Sequence, residues 1–335
     1  MDKIKIGFIG AGRLANHVHY PSLTEIKEAE IIAICDINRN RLKETADKYQ
    51  IEERFTDYKL MLKKVKLDAV YAIMPPISLK PNIDPLPKIV INCLKEGKHV
   101  FIEKPPGVTS KETEKMAKVA VENECKTMVA FNRRFIPVMR EAKRIVEERG
   151  EITHCTATFH KNMLGQPLAW GRIDYLTADV IHAVDLLRWM GGEAEKVISH
   201  IGRFHSNHTN SYNALILFKK GCIGHLNSAY SAGGRYHAVE MHARGISAYV
   251  NIPQEADGQE ALILKDGKSY MEAEKIRNID LTRSRAFYKC YGFLQESQHF
   301  INCIIRDEKP ETNFTDALKT MRLLERIKAS TINLK

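Results

Sequence analysis

The sequence lacks the features of membrane, secreted and disordered proteins. No stretch of its 335 residues approaches eighteen uninterrupted apolar residues, which argues against a transmembrane helix and a membrane partner. The N-terminal segment has no long apolar stretch before a small-residue cleavage site, so we expect a cytoplasmic protein. Hydrophobic residues make up 44% and charged residues 27% of the chain, close to the average for globular proteins, which excludes intrinsic disorder and fibrous repeats.

The cysteines lack the clustering that disulfide frameworks and zinc sites need. Their number is odd and no two form a Cys-x-x-Cys motif, the positions being Cys35, Cys93, Cys125, Cys155, Cys222, Cys290 and Cys303. We therefore expect free, buried thiols. The histidines His200, His205 and His208 fit no helix or strand ligand set, so we expect no metal.

Basic residues outnumber acidic ones by 51 to 41, which gives a formal net charge of +10. No run of five basic residues occurs and no nucleic-acid-binding module is recognisable, so we expect no nucleic-acid partner. A solvated basic surface is the simpler explanation of the charge, and an acidic small-molecule substrate is the alternative.

The first 130 residues alternate short apolar runs with amphipathic segments, which predicts βαβ units and a parallel sheet. The predicted strands are Lys3–Ile9, Ile31–Cys35, Asp68–Met74, His99–Glu103 and Thr127–Phe131. The predicted helices begin at about Leu14 and then cover Arg39–Tyr49, Pro87–Lys95 and Ser110–Glu124, the last with Thr109 or Ser110 as its N-cap. We assign residues 1–130 to a dinucleotide-binding domain of the Rossmann type.

Residues 131–335 change in character and predict a second, α+β domain. The predicted helices are Val138–Glu148, Thr177–Met190, Phe287–Ile305 and Phe314–Ser330, and the strand-like runs are Ile152–Phe159, Lys196–Phe204, Tyr212–Phe218, Ile223–Tyr230, Tyr236–Ala243 and Ala248–Ile252. Hairpin signals at Lys220-Gly221 and Gly233-Gly234 favour an antiparallel sheet. Tyr212–Phe218 is apolar on both faces, so we expect helices on one side and a second subunit as a candidate cover for the other.

A glycine motif directly follows the first strand and opens the first helix. In Gly10-Ala-Gly-Arg-Leu-Ala15, Gly10 allows the tight turn, Gly12 lets a pyrophosphate approach and Ala15 permits close packing. Asp36 ends the second strand, where a carboxylate binds the ribose hydroxyls of NAD and repels a 2′-phosphate. Arg39 and Arg41 follow closely and leave NADP open, and a tight turn without a ligand is the alternative.

Two further segments carry candidate catalytic groups. Lys104, in Glu103-Lys-Pro-Pro106, follows the fourth predicted strand at the ligand-binding edge of the sheet, where a lysine suits proton transfer, although an ion pair is the alternative. One of the prolines is a candidate cis residue. Asp179, His182 and Asp185 recur every three residues on one side of a predicted helix, whose N-terminus favours a neutral His182. The alternatives are a buried structural histidine, a helix-end Asp179 and an Asp185 that pairs with Arg188.

Together these features resemble the glucose–fructose oxidoreductase/inositol dehydrogenase (Gfo/Idh/MocA) family over nearly the whole chain. The resemblance rests on the glycine motif, Asp36, the run Gly97–Pro106, the run Asn132–Phe135 and the run His182–Asp185. It implies an α/β protein with an N-terminal Rossmann domain and a C-terminal α+β domain, whose large, mostly antiparallel open sheet commonly joins subunits. A homodimer or homotetramer is therefore expected, and the resemblance also implies redox chemistry at a sugar or polyol hydroxyl.

We therefore expect an NAD(P)-dependent dehydrogenase that acts on a secondary hydroxyl of a sugar, sugar acid or polyol, with the substrate between the nicotinamide and the second domain's sheet. His182 takes the hydroxyl proton, Lys104 orients the oxygen and Asp179 holds His182. The predicted cofactor contacts are Gly10, Gly12, Arg13, Leu14, Ala15, Asp36, Arg41, Pro75, Glu103 and Lys104. The predicted substrate contacts are Arg133, Arg134, Lys161 and Arg172. A non-catalytic NAD- and sugar-binding sensor and a redox-neutral glycoside-cleaving enzyme are the alternatives.

Two positions depart from the family pattern. Relatives often carry an aspartate four residues before the histidine, where this chain has Ala178. They frequently have a histidine after the third strand's proline, where this chain has Lys80 nearby. Asp179 stands three residues before His182 and shares its helix face, so it is predicted to replace the missing aspartate.

Overall fold

The computed structural model describes residues 3–79 and 83–332, so Lys80 lies outside the described residues. The chain divides into two compact units, Met1–Asn132 with Phe293–Leu318 and Arg133–Gly292 with Lys319–Lys335. The first boundary is two residues from the predicted one. The assignment of segment Phe293–Leu318 to the second domain was wrong, because Phe300 packs edge-on against Tyr71 and Phe101, with ring centroids 5.9 and 5.7 Å away, in the core of the first unit.

The first unit alternates strands and helices as predicted. In chain order it contains β1 (Ile4–Ile9), a π-helical turn (Ala15–His19) continued by α1 (Tyr20–Thr24), β2 (Ala29–Cys35), α2 (Arg39–Lys48), β3 (Glu53–Phe55), α3 (Tyr58–Lys64), β4 (Ala69–Ala72), α4 (Leu86–Lys95), β5 (His99–Ile102), α5 (Ser110–Glu122) and β6 (Thr127–Val129). All neighbouring strands are parallel, in the order β3-β2-β1-β4-β5-β6. This is the strand order of a dinucleotide-binding fold, and it confirms the predicted Rossmann domain.

Local sequence determines where these helices begin. Thr109 caps α5: its side chain accepts the backbone N–H of Glu112, and the Glu112 carboxylate accepts that of Thr109. The structure also contains β3 and α3, which the sequence did not predict. β3 is a three-residue edge strand in which Glu53 and Arg54 are exposed, so it has no apolar alternation to recognise.

The second unit is built around one sheet. In chain order the chain forms a 3₁₀ turn (Asn132–Phe135), α6 (Pro137–Glu147), β7 (His154–Asn162), a π-helical turn (Leu176–Val180) continued by α7 (Ile181–Gly191), β8 (Ala194–Gly202), β9 (Ser211–Phe218), β10 (Ile223–Ala229), β11 (Ser231–Ala243), β12 (Ile246–Asn251), β13 (Glu260–Lys265), β14 (Glu274–Arg277), α8 (Asn278–Thr282), α9 (Phe287–Cys290), α10 (Phe293–Ile305) of the first unit, and α11 (Phe314–Ala329). The division between the units falls within α11.

The eight-stranded order is β14-β13-β12-β11-β7-β10-β9-β8, and every pair is antiparallel except β10 with β7. This confirms the mostly antiparallel open sheet. The hairpin predicted at Gly233-Gly234 was wrong, because both glycines lie inside β11, where its register against β7 shifts between Ser231 and Tyr236. A glycine pair marks an irregular strand as readily as a turn.

One predicted helix is interrupted, and two further strands were not predicted. The helix predicted over Phe287–Ile305 is broken between α9 and α10, where Gly292 adopts a φ of +85° that continues neither helix. β13 and β14 were not predicted. β14, with the sequence Glu-Lys-Ile-Arg, is a charged edge strand.

One face of the second sheet is covered by helices α6 and α7. Phe218 of β9 packs so closely on α7 that a Cβ on Gly191 would lie 2.3 Å from its ring. On the opposite face, Leu215 is 44% exposed and Ile198 is 53% exposed. Among the described residues all seven cysteines are free and all but Cys125 are buried, as expected. No helix within residues 3–79 and 83–332 has the length and apolar character needed to cross a membrane.

Candidate active site

The glycine turn has the geometry that the motif predicts. Gly10 has a φ of +111°, and a Cβ on it would lie 2.3 Å from the carbonyl oxygen of Ile73, so no other residue fits. A Cβ on Gly12 would meet nothing within 4 Å, which leaves this side of the turn open. The helix starts at Arg13, and the first N–H groups of a helix have no intrahelical partner. The turn therefore fits a pyrophosphate.

Asp36 is 7% exposed and does more than the sequence predicted. Its Oδ2 accepts the Ala11 N–H at 2.8 Å, which ties the glycine turn to the end of β2. Its Oδ1 accepts the Asn38 N–H at 2.7 Å and Nη2 of Arg41 at 3.2 Å. A carboxylate offers about four acceptor sites, so one remains for a ribose hydroxyl. The Arg41 side chain is half exposed beside it.

Lys104 stands at the carboxyl end of β5, the same edge of the parallel sheet as the glycine turn. Its peptide bond to Pro105 is cis, as one of the two proline bonds was predicted to be. The neighbouring Glu103 is buried, and its Oε2 accepts the backbone N–H of Lys104 at 3.1 Å. Its Oε1 lies 2.8 Å from Nε2 of the fully buried His19. Glu103 thus anchors the Lys104 backbone, a role that the sequence did not reveal.

His182 is 4% exposed and is the second residue of α7. The helical stretch that contains it begins at Tyr175, with Asp174 as its cap, because Asp174 Oδ1 accepts the N–H of Thr177 at 2.9 Å. The field of a helix N-terminus is strongest in the first turn, and His182 lies beyond that turn. The predicted effect of the helix dipole on His182 was wrong for this reason.

Asp179 lies in the π-helical turn and binds Lys161 of β7 and Tyr230, which lies between β10 and β11. Its Oδ2 accepts the Tyr230 hydroxyl at 2.6 Å and forms an ion pair with Lys161 of β7. Burial and the Asp179 carboxylate raise the pKa of Tyr230, so the phenol stays protonated and donates. Lys161, a predicted substrate contact, thus neutralises Asp179. Asp179 is not the helix cap, since Asp174 has that position.

Arg134 and Asp185 form a buried ion pair, which the sequence did not predict. Nε and Nη2 of Arg134 donate to the two carboxylate oxygens of Asp185 at 2.6 and 2.5 Å. Thr320 donates to the same carboxylate at 2.9 Å. The pair engages two of the five N–H donors of Arg134, and Arg188 binds Glu193. Arg134 as a substrate contact and Asp185 as a partner of Arg188 stay predictions.

Arg133, the neighbour of Arg134, is placed differently. It is 7% exposed, and its guanidinium lies 3.9 Å above the ring of Tyr291. Arg235 of β11 donates to the Tyr291 hydroxyl and to Nδ1 of His237, the latter at 3.0 Å. Burial, together with Arg133 and Arg235, lowers the pKa of His237 strongly and keeps this imidazole neutral. Arg235, His237 and Tyr291 stand in no local motif, so sequence reasoning did not identify them.

The remaining predicted contacts lie on loops and at element ends. Arg13 and Leu14 are exposed at the start of the first helix, and Pro75 is half-buried after β4. Arg172 is exposed in the loop before α7. Within the described part of the chain, no group of three potential ligands could hold a metal ion.

Comparison with known proteins agrees with this geometry. The family model described as "Oxidoreductase family, NAD-binding Rossmann fold" matches residues 4–131, and the model "GFO/IDH/MocA C-terminal domain" matches residues 139–249. The myo-inositol 2-dehydrogenase of Thermotoga maritima is 26% identical over 242 residues, 68% of this chain and 69% of that protein. The putative oxidoreductase YceM of Salmonella typhimurium is 22% identical over 97% of each chain. The crystal structure of a dehydrogenase from Chromobacterium violaceum superposes with a TM-score of 0.85 at 23% identity, over 99% of this chain and 96% of that one.

Proposed function

Because this chain belongs to the Gfo/Idh/MocA family of NAD-binding oxidoreductases, we propose that it transfers a hydride between a secondary hydroxyl of a sugar, sugar acid or polyol and the nicotinamide of NAD. It is a dehydrogenase that acts on CH–OH groups. The observation that carries the proposal is the position of Lys104, at the same sheet edge as the glycine turn and Asp36.

The residues of each unit have distinct proposed roles. NAD, when bound, supplies the hydride acceptor. The glycine turn and the first helix would hold its pyrophosphate, and Asp36 its adenosine ribose. Lys104 polarises the substrate hydroxyl, and His182 accepts its proton. Asp36 favours NAD over NADP, because its charge opposes a 2′-phosphate.

Substitution of the two catalytic candidates tests the proposal. Lys104→Met and His182→Asn should each lower turnover by roughly 10²–10⁴, the usual range for acid–base groups, with little change in NAD affinity. Lys95→Met, an exposed lysine at the end of α4, is the matched control. Turnover is measured as NADH absorbance with a panel of sugars, sugar acids and polyols, and a variant with normal turnover removes that residue from the mechanism.

The two alternatives give different results in the same assays. A sensor forms no NADH with any member of the panel. A redox-neutral enzyme cleaves an aryl glycoside and retains NAD through purification.

We further propose that the open face of the second sheet joins subunits of a homo-oligomer. Leu215 and Ile198 on neighbouring strands leave apolar side chains exposed there.

A further inference from the structure

We infer that the substrate carries a carboxylate, and that Arg133 and Arg235 of the second unit bind it. The inference rests on the proposed function and narrows its substrate class to sugar acids.

The guanidinium of Arg133 is an unsatisfied buried cation. Only 7% of the residue is exposed, and neither Nε nor Nη1 has a hydrogen-bond partner among the described residues. The guanidinium lies 3.9 Å from the centroid of the Tyr291 ring. Buried guanidinium N–H groups without acceptors are unfavourable, so Nε and Nη1 call for an acceptor that the described residues do not provide.

The charges around Arg133 do not balance. Within residues 3–79 and 83–332, Arg235 donates only to neutral groups, namely the Tyr291 hydroxyl, Nδ1 of His237 and the carbonyl oxygen of Ile252. Among the described residues, Asp179 is the carboxylate whose charge acts on Arg133 and His237, and Lys161 is already paired with it. Two arginine charges therefore remain without a counterion.

This imbalance selects an anionic ligand. Sugar hydroxyls can accept hydrogen bonds from the guanidinium groups but cannot neutralise them. A carboxylate does both, and arginine binds it through short, charge-assisted hydrogen bonds. Arginine binds phosphate through the same fork of donors, so a hexose phosphate is included in the test below.

Paired ligands that differ in one carboxylate test the inference. The pairs are D-glucuronate with D-glucose, D-galacturonate with D-galactose, and D-gluconate with D-glucitol, with a hexose phosphate as a further anion. Each is measured by NADH formation in the presence of NAD, and by the shift in melting temperature of the NADH-bound protein. We expect kcat/KM and binding to favour the acid of at least one pair. Arg133→Met should weaken binding of that acid by about 10- to 100-fold, the range for hydrogen bonds between charged groups, and weaken binding of its neutral partner much less.

Two further variants keep the test decisive. Arg140→Met removes an exposed arginine that stacks on Phe135, so it controls for the loss of a stacked cation and should retain the preference. Arg133→Lys keeps the charge, and should retain part of the acid preference even if Arg133→Met does not fold.

The outcomes separate this inference from the proposed function. Equal or better use of the neutral partner in every pair, or an equal loss for acid and neutral ligands in Arg133→Met, overturns the carboxylate site while hydride transfer stands. A preference for the hexose phosphate over every acid overturns it too. If no NADH forms with any ligand, the proposed function fails. The melting temperatures then still test the carboxylate site. An acid that raises the melting temperature of the wild type but not of Arg133→Met supports the site, and the lack of any such acid refutes it.

Discussion

Replacement of Asp185 by asparagine should unfold the protein at a much lower temperature without acting on catalysis directly. The Asp185 side chain is 1% exposed and that of its partner Arg134 is 3% exposed. The substitution leaves a buried guanidinium without its counterion, and breaking such a pair costs about 3–5 kcal/mol. For a unit of this size, that cost corresponds to a fall in melting temperature of about 6–20 °C.

Thermal unfolding followed by circular dichroism measures this effect, with turnover recorded at a temperature where both proteins are folded. Asp280→Asn is the matched control, since it breaks an exposed pair with Arg277 and should cost well under about 1 kcal/mol. The double variant Arg134→Met/Asp185→Leu removes both charges, and it should recover much of the lost stability.

The same experiment decides between two roles for the carboxylate on α7. If Asp185→Asn melts within about 2 °C of the wild type but loses turnover, the carboxylate serves the reaction and the structural assignment is refuted. If stability falls and the folded fraction keeps its turnover, Asp185 is structural and does not orient His182.

Three shorter predictions concern the cofactor, pH and assembly. Asp36→Ala should weaken NAD binding and raise NADP binding beside Arg41, measured by fluorescence titration; unchanged affinities would limit Asp36 to holding the turn. Because the pKa of His237 is lowered in the folded protein, the unfolded protein takes up a proton on this residue at a higher pH than the folded protein does. The free energy of unfolding is therefore highest above about pH 6.5 and falls as the pH is lowered. Between about pH 7.5 and 5.5, His237→Gln should lose up to about 1.4 kcal/mol less of this free energy than the wild type in urea titrations. Leu215→Glu should lower the molar mass measured by light scattering if the open face joins subunits.

The fold was predictable where local sequence carries its own signal. The parallel strands are apolar runs because they are buried on both faces, and Thr109 with Glu112 fixes the start of α5. The charged edge strand β3 has no period to detect. The pairing of the strands could not be predicted from local sequence either. For example, β10 pairs with β7, and the partners His160 and Ala229 are 69 residues apart.

Some residues of the candidate site could be identified from the sequence and others could not. Gly10, Asp36 and Lys104 stand in motifs with fixed spacing, so the sequence identified them. Arg235 and Tyr291 are 56 residues apart and meet only in the folded unit. Arg133 and Arg134 are chemically identical neighbours, yet successive side chains of a 3₁₀ turn point in different directions. Arg134 therefore pairs with Asp185 and Arg133 lies over Tyr291, a difference that the sequence alone does not predict.

Asp179 is the carboxylate predicted to hold His182, and its substitution tests that prediction. The helix has begun by Tyr175, so residues 179 and 182 lie within one continuous helical stretch, as the replacement of the missing aspartate requires. All three nearby carboxylates have partners: Asp174 binds Thr177 and Lys328, Asp185 binds Arg134, and Asp179 binds Tyr230 and Lys161.

If Asp179 holds His182 as predicted, Asp179→Asn should shift the pH profile of kcat/KM and lower turnover by about 10²-fold. Asp174→Ala is the control, because loss of a helix cap costs about 1 kcal/mol of stability and should leave turnover unchanged. Asp179 also binds Tyr230 and Lys161, so a fall in stability alone is not informative. An Asp179→Asn enzyme with lower stability but an unaltered pH profile and turnover would show that this carboxylate only joins β7 to the helix, and that His182 acts without it.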